Sequence, residues 1–384
     1  MELKQAISIA LGNQLYRQQE LSGKAGLRTL IQQLGYLQID TISVVERAHH
    51  HTIWSRMQDY NKQHLNALLE QDRAIYEYWG HAASYLPMED YRYSLPRMQS
   101  FPDANTWEKQ FFTKYHHLMD DVLLRIRQEG PLGARDFVDD RQVKPSAGWG
   151  SEKPAKLALE LLFWKGELMI SHRQGFQRFY DLRERILPPW VETNLPTPEE
   201  LYRHYILRAL EAMGIGSLND IQSHFMVRGK ELFSRNLRQL IENKDVLSTN
   251  IAGIKEEHYL LPKSLESLGS NKNGESQLFI LSPFDNAVIL RPRIKRLFGF
   301  DYTLECYLTP QKRVYGYWCL PLLFKNSFIG RLDCKADRKA KQMQINSLHF
   351  ESGVKPDHQM ASALQSSFNR FADFCGCASV EIKL

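Results

Sequence analysis

Long apolar runs are missing from the 384 residues: nothing approaches the roughly 18 consecutive apolar positions that a membrane-spanning helix needs, so no such span is expected. The opening residues interleave charges and glutamines with apolar positions and present no secretory core, which points to a cytoplasmic protein. Cysteine is scarce. The five present, Cys306, Cys319, Cys334, Cys375 and Cys377, form an odd set confined to the C-terminal part, which speaks against a disulfide framework and for a reducing compartment. Clustered metal ligands are lacking too. Adjacent side chains in His49-His50-His51 alternate in direction with no Cys/His set nearby, and Cys375-Gly376-Cys377 has no second pair, so no metal and no cofactor is expected. Nor is charge of one sign abundant, the formal net charge being +5.

What is present is an ordinary globular composition, 43% hydrophobic and 24% charged, in a length that suits several domains. The charge is unevenly placed: residues 275–341 hold twelve Lys/Arg against six acids. A local polycation suits a polyanion, although scattered Lys/Arg also make an ordinary solvated surface. One order of elements recurs three times. Residues 197–213 read as a helix with Thr197 as N-cap, Pro198 at the first helical position and Gly214 at the end. A short helical stretch (217–225), a helix (229–243) and two strands, VLSTNI and HYLLP, follow, which is the pattern of a winged helix-turn-helix. The middle copy has a helix at 107–129, a short element at 133–139, a helix opened by Ser151 and Pro154, and strands flanking Gly175. In the first copy, helices at 3–17 and 26–35 precede a strand in QIDTISVV, a helix at 62–70 and a strand at IYEYW. Beyond the linker 264–276 the chain becomes strand-rich: LFILS, DYTLECYL, VYGYWCLPLLF, SFIGRLDCKA, KQMQINSLHFE and ASVEIKL, with one helix at 357–374.

Five long stretches carry a family likeness: LGYLQIDTISVVERAHHHTIWSR (34–56), YEYWGHAASYLPMEDY (76–91), LALELLFWKGELMISHRQGFQRFYDLRERILP (157–188), LSPFDNAVILRPRIKRLFGFDYTLECY (281–307) and KRVYGYWCLPLLF with FIGRLDCKADR (312–338). With them the chain resembles the YcaQ/AlkZ family of winged helix-turn-helix DNA glycosylases. The fold expected is α+β, with three tandem winged helix-turn-helix units and a small antiparallel β-barrel forming a concave DNA channel. The expected divisions are 1–103 with the catalytic strand, 104–192, 193–263, the linker, and the barrel at 277–384. The resemblance also implies a monofunctional glycosylase acting on double-stranded DNA with alkylated or crosslinked purines; a monomer is expected, in a bacterial cytoplasm and associated with the nucleoid when bound to DNA. The family motif, Gln, an apolar residue, then Gln or Asp, falls on Gln38-Ile39-Asp40. Its Asp form points to general repair of alkylation and crosslinks.

The chemistry agrees with that motif. Alkylation at N7 makes a purine cationic, so it departs from C1′ as a neutral base; the protein has to stabilise an oxocarbenium-like sugar and direct water onto it. On a strand, residues i and i+2 share a face about 6.5–7 Å apart, so Gln38 and Asp40 would point together. Judged by spacing alone, such a pair is usually an exposed edge or a turn contact. Candidate DNA contacts are Arg47, His49 and His50, with a structural role as the alternative. Tyr78 and His81 lie on a strand expected beside Gln38. Trp149 and Lys156 lie at the start of the middle helix, where phosphate is favoured, though Trp149 capping a core is an equal alternative. Arg291 and Arg293 belong to the basic module, and Lys312 and Arg313 sit at an expected hairpin tip, which is otherwise a solvated turn. Asp285 in SPFD reads as a turn residue. A winged-helix transcriptional regulator would share the DNA affinity but needs a dimer surface and sequence-reading helices. A nuclease would need clustered carboxylates around metal ions.

Overall fold

The computed structural model describes residues 1–16, 21–57, 59–102, 106–137, 154–265, 268 and 277–383. The chain opens with α1 (Leu3–Gly12) and α2 (Gly23–Leu34), whose buried residues Leu27, Leu30, Ile31 and Leu34 follow the i, i+3, i+4, i+7 stripe of a helix with one apolar face. Gly35 ends α2 in the left-handed region (φ +74°), where a Cβ would approach the Phe225 ring to 3.2 Å. A two-residue strand β1 (Leu37–Gln38), α3 (Ala48–Trp54), α4 (Lys62–Glu70), β2 (Ile75–Trp79), β3 (Ala83–Pro87) and α5 (Leu95–Ser100) follow. Next come α6 (Trp107–Lys114), α7 (His116–Glu129), β4 (Leu132–Gly133), α8 (Pro154–Trp164), β5 (Leu168–Gln174), β6 (Gln177–Leu182) and α9 (Arg183–Ile186). The third stretch runs α10 (Pro198–Met213), β7 (Ile215–Ser217), α11 (Leu218–His224), α12 (Lys230–Glu242), β8 (Leu247–Thr249) and β9 (His258–Leu260). The remainder holds β10 (Leu278–Ile280), α13 (Arg291–Phe298), β11 (Cys319–Phe324), β12 (Ser327–Asp337), β13 (Gln342–Phe350), α14 (His358–Phe374) and β14 (Ser379–Ile382).

The first three stretches each carry a three-stranded sheet in which the last strand lies between the other two: β1-β3-β2, β4-β6-β5 and β7-β9-β8. By contacts the chain divides into two compact units, one of residues 1–61, 80–84 and 199–384, the other of residues 62–79 and 85–198. In the first unit the strands β10 to β14 form a linear five-stranded sheet, antiparallel except that β14 runs parallel to β13. Bulges at Leu322/Leu323 and Asp333/Cys334 interrupt its register, and bulges bend and twist a strand. Both faces are covered. Leu278, Ile280, Leu320, Leu322 and Leu332 pack with Val45 of the 41–47 segment and with Phe368 and Phe371 of α14, while Phe279, Leu281 and Leu323 pack on the other face with Leu11, Ile294 and Phe300. In the second unit Glu77 of β2 is buried and accepts hydrogen bonds from Arg173 (2.5 and 2.7 Å) and Arg178 (3.3 Å), so its charge is paired inside the fold.

Several expectations change. The strand in QIDTISVV stops at Gln38, and the three histidines lie on α3, for which no element is expected from the sequence. The single helix expected at 107–129 breaks at Tyr115 into α6 and α7. DYTLECYL is not a strand but leads into a 3-10 turn (Glu305–Tyr307), and RPRIKRLF forms α13. The sheet's parallel last pair departs from the all-antiparallel expectation. The linker 264–276 and the element at 133–139 fall partly outside the described residues.

Candidate active site

β1 is held by long-range bonds. The Ile39 N–H donates to Ala83 O at 2.8 Å, and the Asn286 side-chain amide donates to Tyr36 O at 3.1 Å and Leu34 O at 3.4 Å. Next to Asn286, Asp285 forms a fully buried ion pair with Arg56 just beyond α3. The guanidinium donates to both Asp285 oxygens (2.7 and 2.9 Å), to Gln14 O and Oε1, to Thr52 O and to Ser55 Oγ, while the Tyr16 hydroxyl also donates to Asp285 Oδ1 at 2.7 Å. Burial alone would raise the Asp285 carboxyl, but the Arg56 charge and these donors outweigh it and hold it below its usual range. His51, on the same helix, meets Ile280 O at 2.9 Å, and burial pushes its pKa down to about 4. The segment around β1 therefore stands on a paired, buried polar cluster.

Gln38 is buried, and among the described residues its Oε1 meets no donor. Asp40 lies two residues on, past the end of the strand, half-buried, with Oδ1 accepting the Ile42 N–H at 2.8 Å. Burial raises its pKa, and that hydrogen bond partly offsets the rise. Its charge is felt at Cys306 and Tyr307, where it adds to burial in raising both groups. The segment thus holds a buried amide and, two residues on, a carboxylate with one oxygen anchored.

The segment after Tyr307 is shaped from beneath by Glu305, which the sequence did not single out. This buried carboxylate accepts the N–H groups of Val314, Tyr315 and Gly316 at 3.0, 2.9 and 3.1 Å. Gly316 (φ +142°) is required there, since a Cβ would come within 2.5 Å of the Asp333 side chain. Tyr307, Val314 and Tyr317 are consequently displayed to solvent. Replacing Glu305 by Ala is expected to raise amide exchange at Val314, Tyr315 and Gly316 about tenfold or more, because a hydrogen bond to a charged group is worth about 1.5–3 kcal/mol. Exchange at wild-type rates would contradict that role.

The other candidates divide. Arg47 caps α3, His49 is buried, and half-buried His50 places Nδ1 2.6 Å from the Tyr60 hydroxyl. His81 meets Ser223 O at 3.0 Å, stacks on Tyr36, and has its pKa lowered by burial. Lys312 is exposed; Arg313 donates to Leu308 O (3.1 Å) and Glu305 O (3.3 Å) and lies over the Tyr317 ring. Both sit at a 3-10 turn (Pro310–Lys312), so the expected hairpin tip is corrected. Arg291 donates to Pro283 O at 2.6 Å and to Val288 O. Arg293 is only 2% exposed and donates to Met213 O and Ile215 O, which removes it as a phosphate contact. Tyr78, also 2% exposed, donates its hydroxyl to Trp164 O at 2.7 Å in the second unit and is a packing residue, not a groove residue. Lys156 is half-buried on α8 of that unit, and Trp149 lies outside the described residues. Among the described residues no three His, Cys, Asp or Glu side chains are grouped as metal ligands.

Comparison with known proteins returns a match of residues 31–374 to a family model described as "AlkZ-like: DNA glycosylase AlkZ-like". The matched span contains Gln38, Asp40 and Glu305. A solved structure, Streptomyces sahachiroi DNA glycosylase AlkZ, aligns over 100% of this chain and 99% of that chain with a TM-score of 0.66 and 15% identity. At that identity the likeness is one of fold.

Proposed function

Since the chain belongs to the AlkZ-like DNA glycosylase family, we propose that it hydrolyses the N-glycosidic bond of N7-alkylated purines in duplex DNA and unhooks crosslinks made through guanine N7. Asp40 and Gln38 are the working pair. The C1′–N9 bond breaks with its electrons passing to the already cationic base, which leaves neutral. The ionised Asp40 stabilises the positive sugar and takes the proton of the water that attacks C1′. Gln38, both donor and acceptor, orients that water. What supports the reading is that a family-matched segment carries, two residues apart in sequence, a buried amide whose Oε1 meets no donor among the described residues and a partly desolvated carboxylate. The three sheets of like strand order support reading the helical stretches as tandem winged helices. Lys312, Arg47, His50 and Lys156 stay candidates for contacts to the duplex. Because a bulky crosslinked base does not swing readily into a deep pocket, the reading places Asp40 where it reaches the sugar without full extrusion of the base.

The crosslink part is tested by incubating excess protein with a duplex joined through two guanine N7 atoms and separating strands on a denaturing gel. Release of single strands is expected, and strands that stay joined would refute it. The pH dependence is also specified. Asp40 works ionised and burial raises its pKa, so the acid limb of the single-turnover rate should lie above the ordinary carboxylate value of about 4, the rate falling as pH drops through it. A limb at or below that value would contradict the assignment.

A further inference from the structure

We infer that Arg338, at the turn joining β12 and β13, is a positioning residue that holds the segment following Asp40 in its working conformation. This rests on the catalytic reading of Asp40. Residues 41–46 lie between β1 and α3 and form neither helix nor strand, so their backbone groups need partners from elsewhere. Three successive carbonyls find theirs at the end of β12. Arg338 Nη1 donates to Ser43 O at 3.2 Å, the Ala336 N–H donates to Val44 O at 3.0 Å, and Arg338 Nη2 donates to Val45 O. The Val45 side chain is fully buried in the sheet core, whereas Thr41 and Ser43 are exposed. The clamp therefore fixes the half of the segment that leads back to Ile42, and the Ile42 N–H is the donor that orients Asp40.

The clamp is itself prepared. Asp337 Oδ1 accepts the N–H groups of Lys339 and Ala340, both at 3.0 Å, and Lys341 takes a positive φ of 51°, so the turn is set before Arg338 reaches across. A planar guanidinium reaches two carbonyls on alternate residues with separate nitrogens in fixed relation; an ammonium has no such fork. Arg338 is exposed, and the competing role for an exposed arginine in a DNA-binding protein is a phosphate contact. The two roles differ in what they control: a phosphate contact sets affinity and its salt dependence, whereas a clamp sets the rate at saturation.

The test uses the full chain and a duplex carrying N7-methylguanine, under single-turnover conditions with protein saturating, and compares Arg338→Ala, Arg338→Lys, Lys339→Ala and Asp40→Asn. Arg338→Ala is expected to lower the rate about 10- to 100-fold, the order of loss caused by displacing a reacting group by about 1 Å. Its duplex Kd and the salt slope of that Kd should stay at wild-type values. Its acid limb should move to higher pH, because weakening the Ile42 bond removes what holds the Asp40 carboxyl down. Arg338→Lys should recover part of the rate, and Lys339→Ala, which removes a like charge from the same turn, should turn over as wild type. If Arg338→Ala does not fold, Arg338→Gln, with one amide donor group, takes its place and is expected to be intermediate. A wild-type rate in the Arg338 variants, a loss confined to Kd with a salt slope reduced by about one, or an equal loss in Lys339→Ala would each overturn the inference. If Asp40→Asn keeps its activity, the catalytic reading fails and this inference with it. If only Asp40→Asn is inactive, the inference alone fails.

Discussion

Asp40→Asn should abolish nearly all base release, lowering the single-turnover rate by about 10²–10⁴-fold, the range supplied by a well-placed general acid or base. The substitution keeps the size of the side chain and an oxygen for the Ile42 N–H, so it removes the charge and the basicity while the local backbone stays in place. Both roles assigned to Asp40 depend on what is removed: an amide neither stabilises a cationic sugar as an anion does nor accepts a proton near neutral pH. Duplex affinity should stay within a few-fold of wild type, since sequence-independent affinity is carried by contacts to phosphate. Gln38→Ala should cost less, because water still reaches the sugar but without a fixed acceptor to orient it. A rate for Asp40→Asn equal to wild type would remove the catalytic assignment.

The second large effect is on stability. Asp285→Ala leaves the Arg56 guanidinium in the interior without its counter-charge, and breaking a buried pair from one side costs about 3–5 kcal/mol. The Tyr16 hydroxyl and the Ala287 N–H lose their acceptor at the same time. Asp285→Asn should fall between, since it keeps oxygen and shape but not charge. The linkage sign is fixed by the lowered carboxyl. The contribution of Asp285 is complete above its unfolded pKa, about 3.9, and is lost only as pH falls through the lower folded value. Wild type should therefore show acid destabilisation below about pH 4 that Asp285→Ala lacks, measurable by urea unfolding across pH. Equal unfolding midpoints for the two proteins at neutral pH would show that the pair contributes nothing to stability.

The parts of the fold readable from sequence were those with local signals. The stripe on α2, the capped start and glycine end of α10, and the alternating strands β12 and β13 all announce themselves within a few residues. Gln38 and Asp40 were found through the family motif, because polar residues at i and i+2 say little alone. The rest was hidden because its causes are distant in the chain. Arg56 and Asp285 are separated by 229 positions, and neither local context signals a buried pair. SPFD reads as a turn, yet it anchors β1 through Asp285 and Asn286. RPRIKRLF reads only as part of a basic module, but it forms α13, and Arg293 is drawn inside by the carbonyls at Met213 and Ile215. DYTLECYL alternates like a strand, and its Glu305 is instead captured by three amides from the following loop. The aromatic run at Tyr78 suggested a groove because sequence does not distinguish a tyrosine facing solvent from one bonded to Trp164 O.

The most direct test of the account is to incubate the protein with a duplex containing a single N7-methylguanine and identify the products by mass. Free N7-methylguanine beside an intact strand bearing an abasic site is the expected result, with release by Asp40→Asn slowed by about 10²–10⁴-fold. A duplex that is bound but keeps its methylated base would contradict the account.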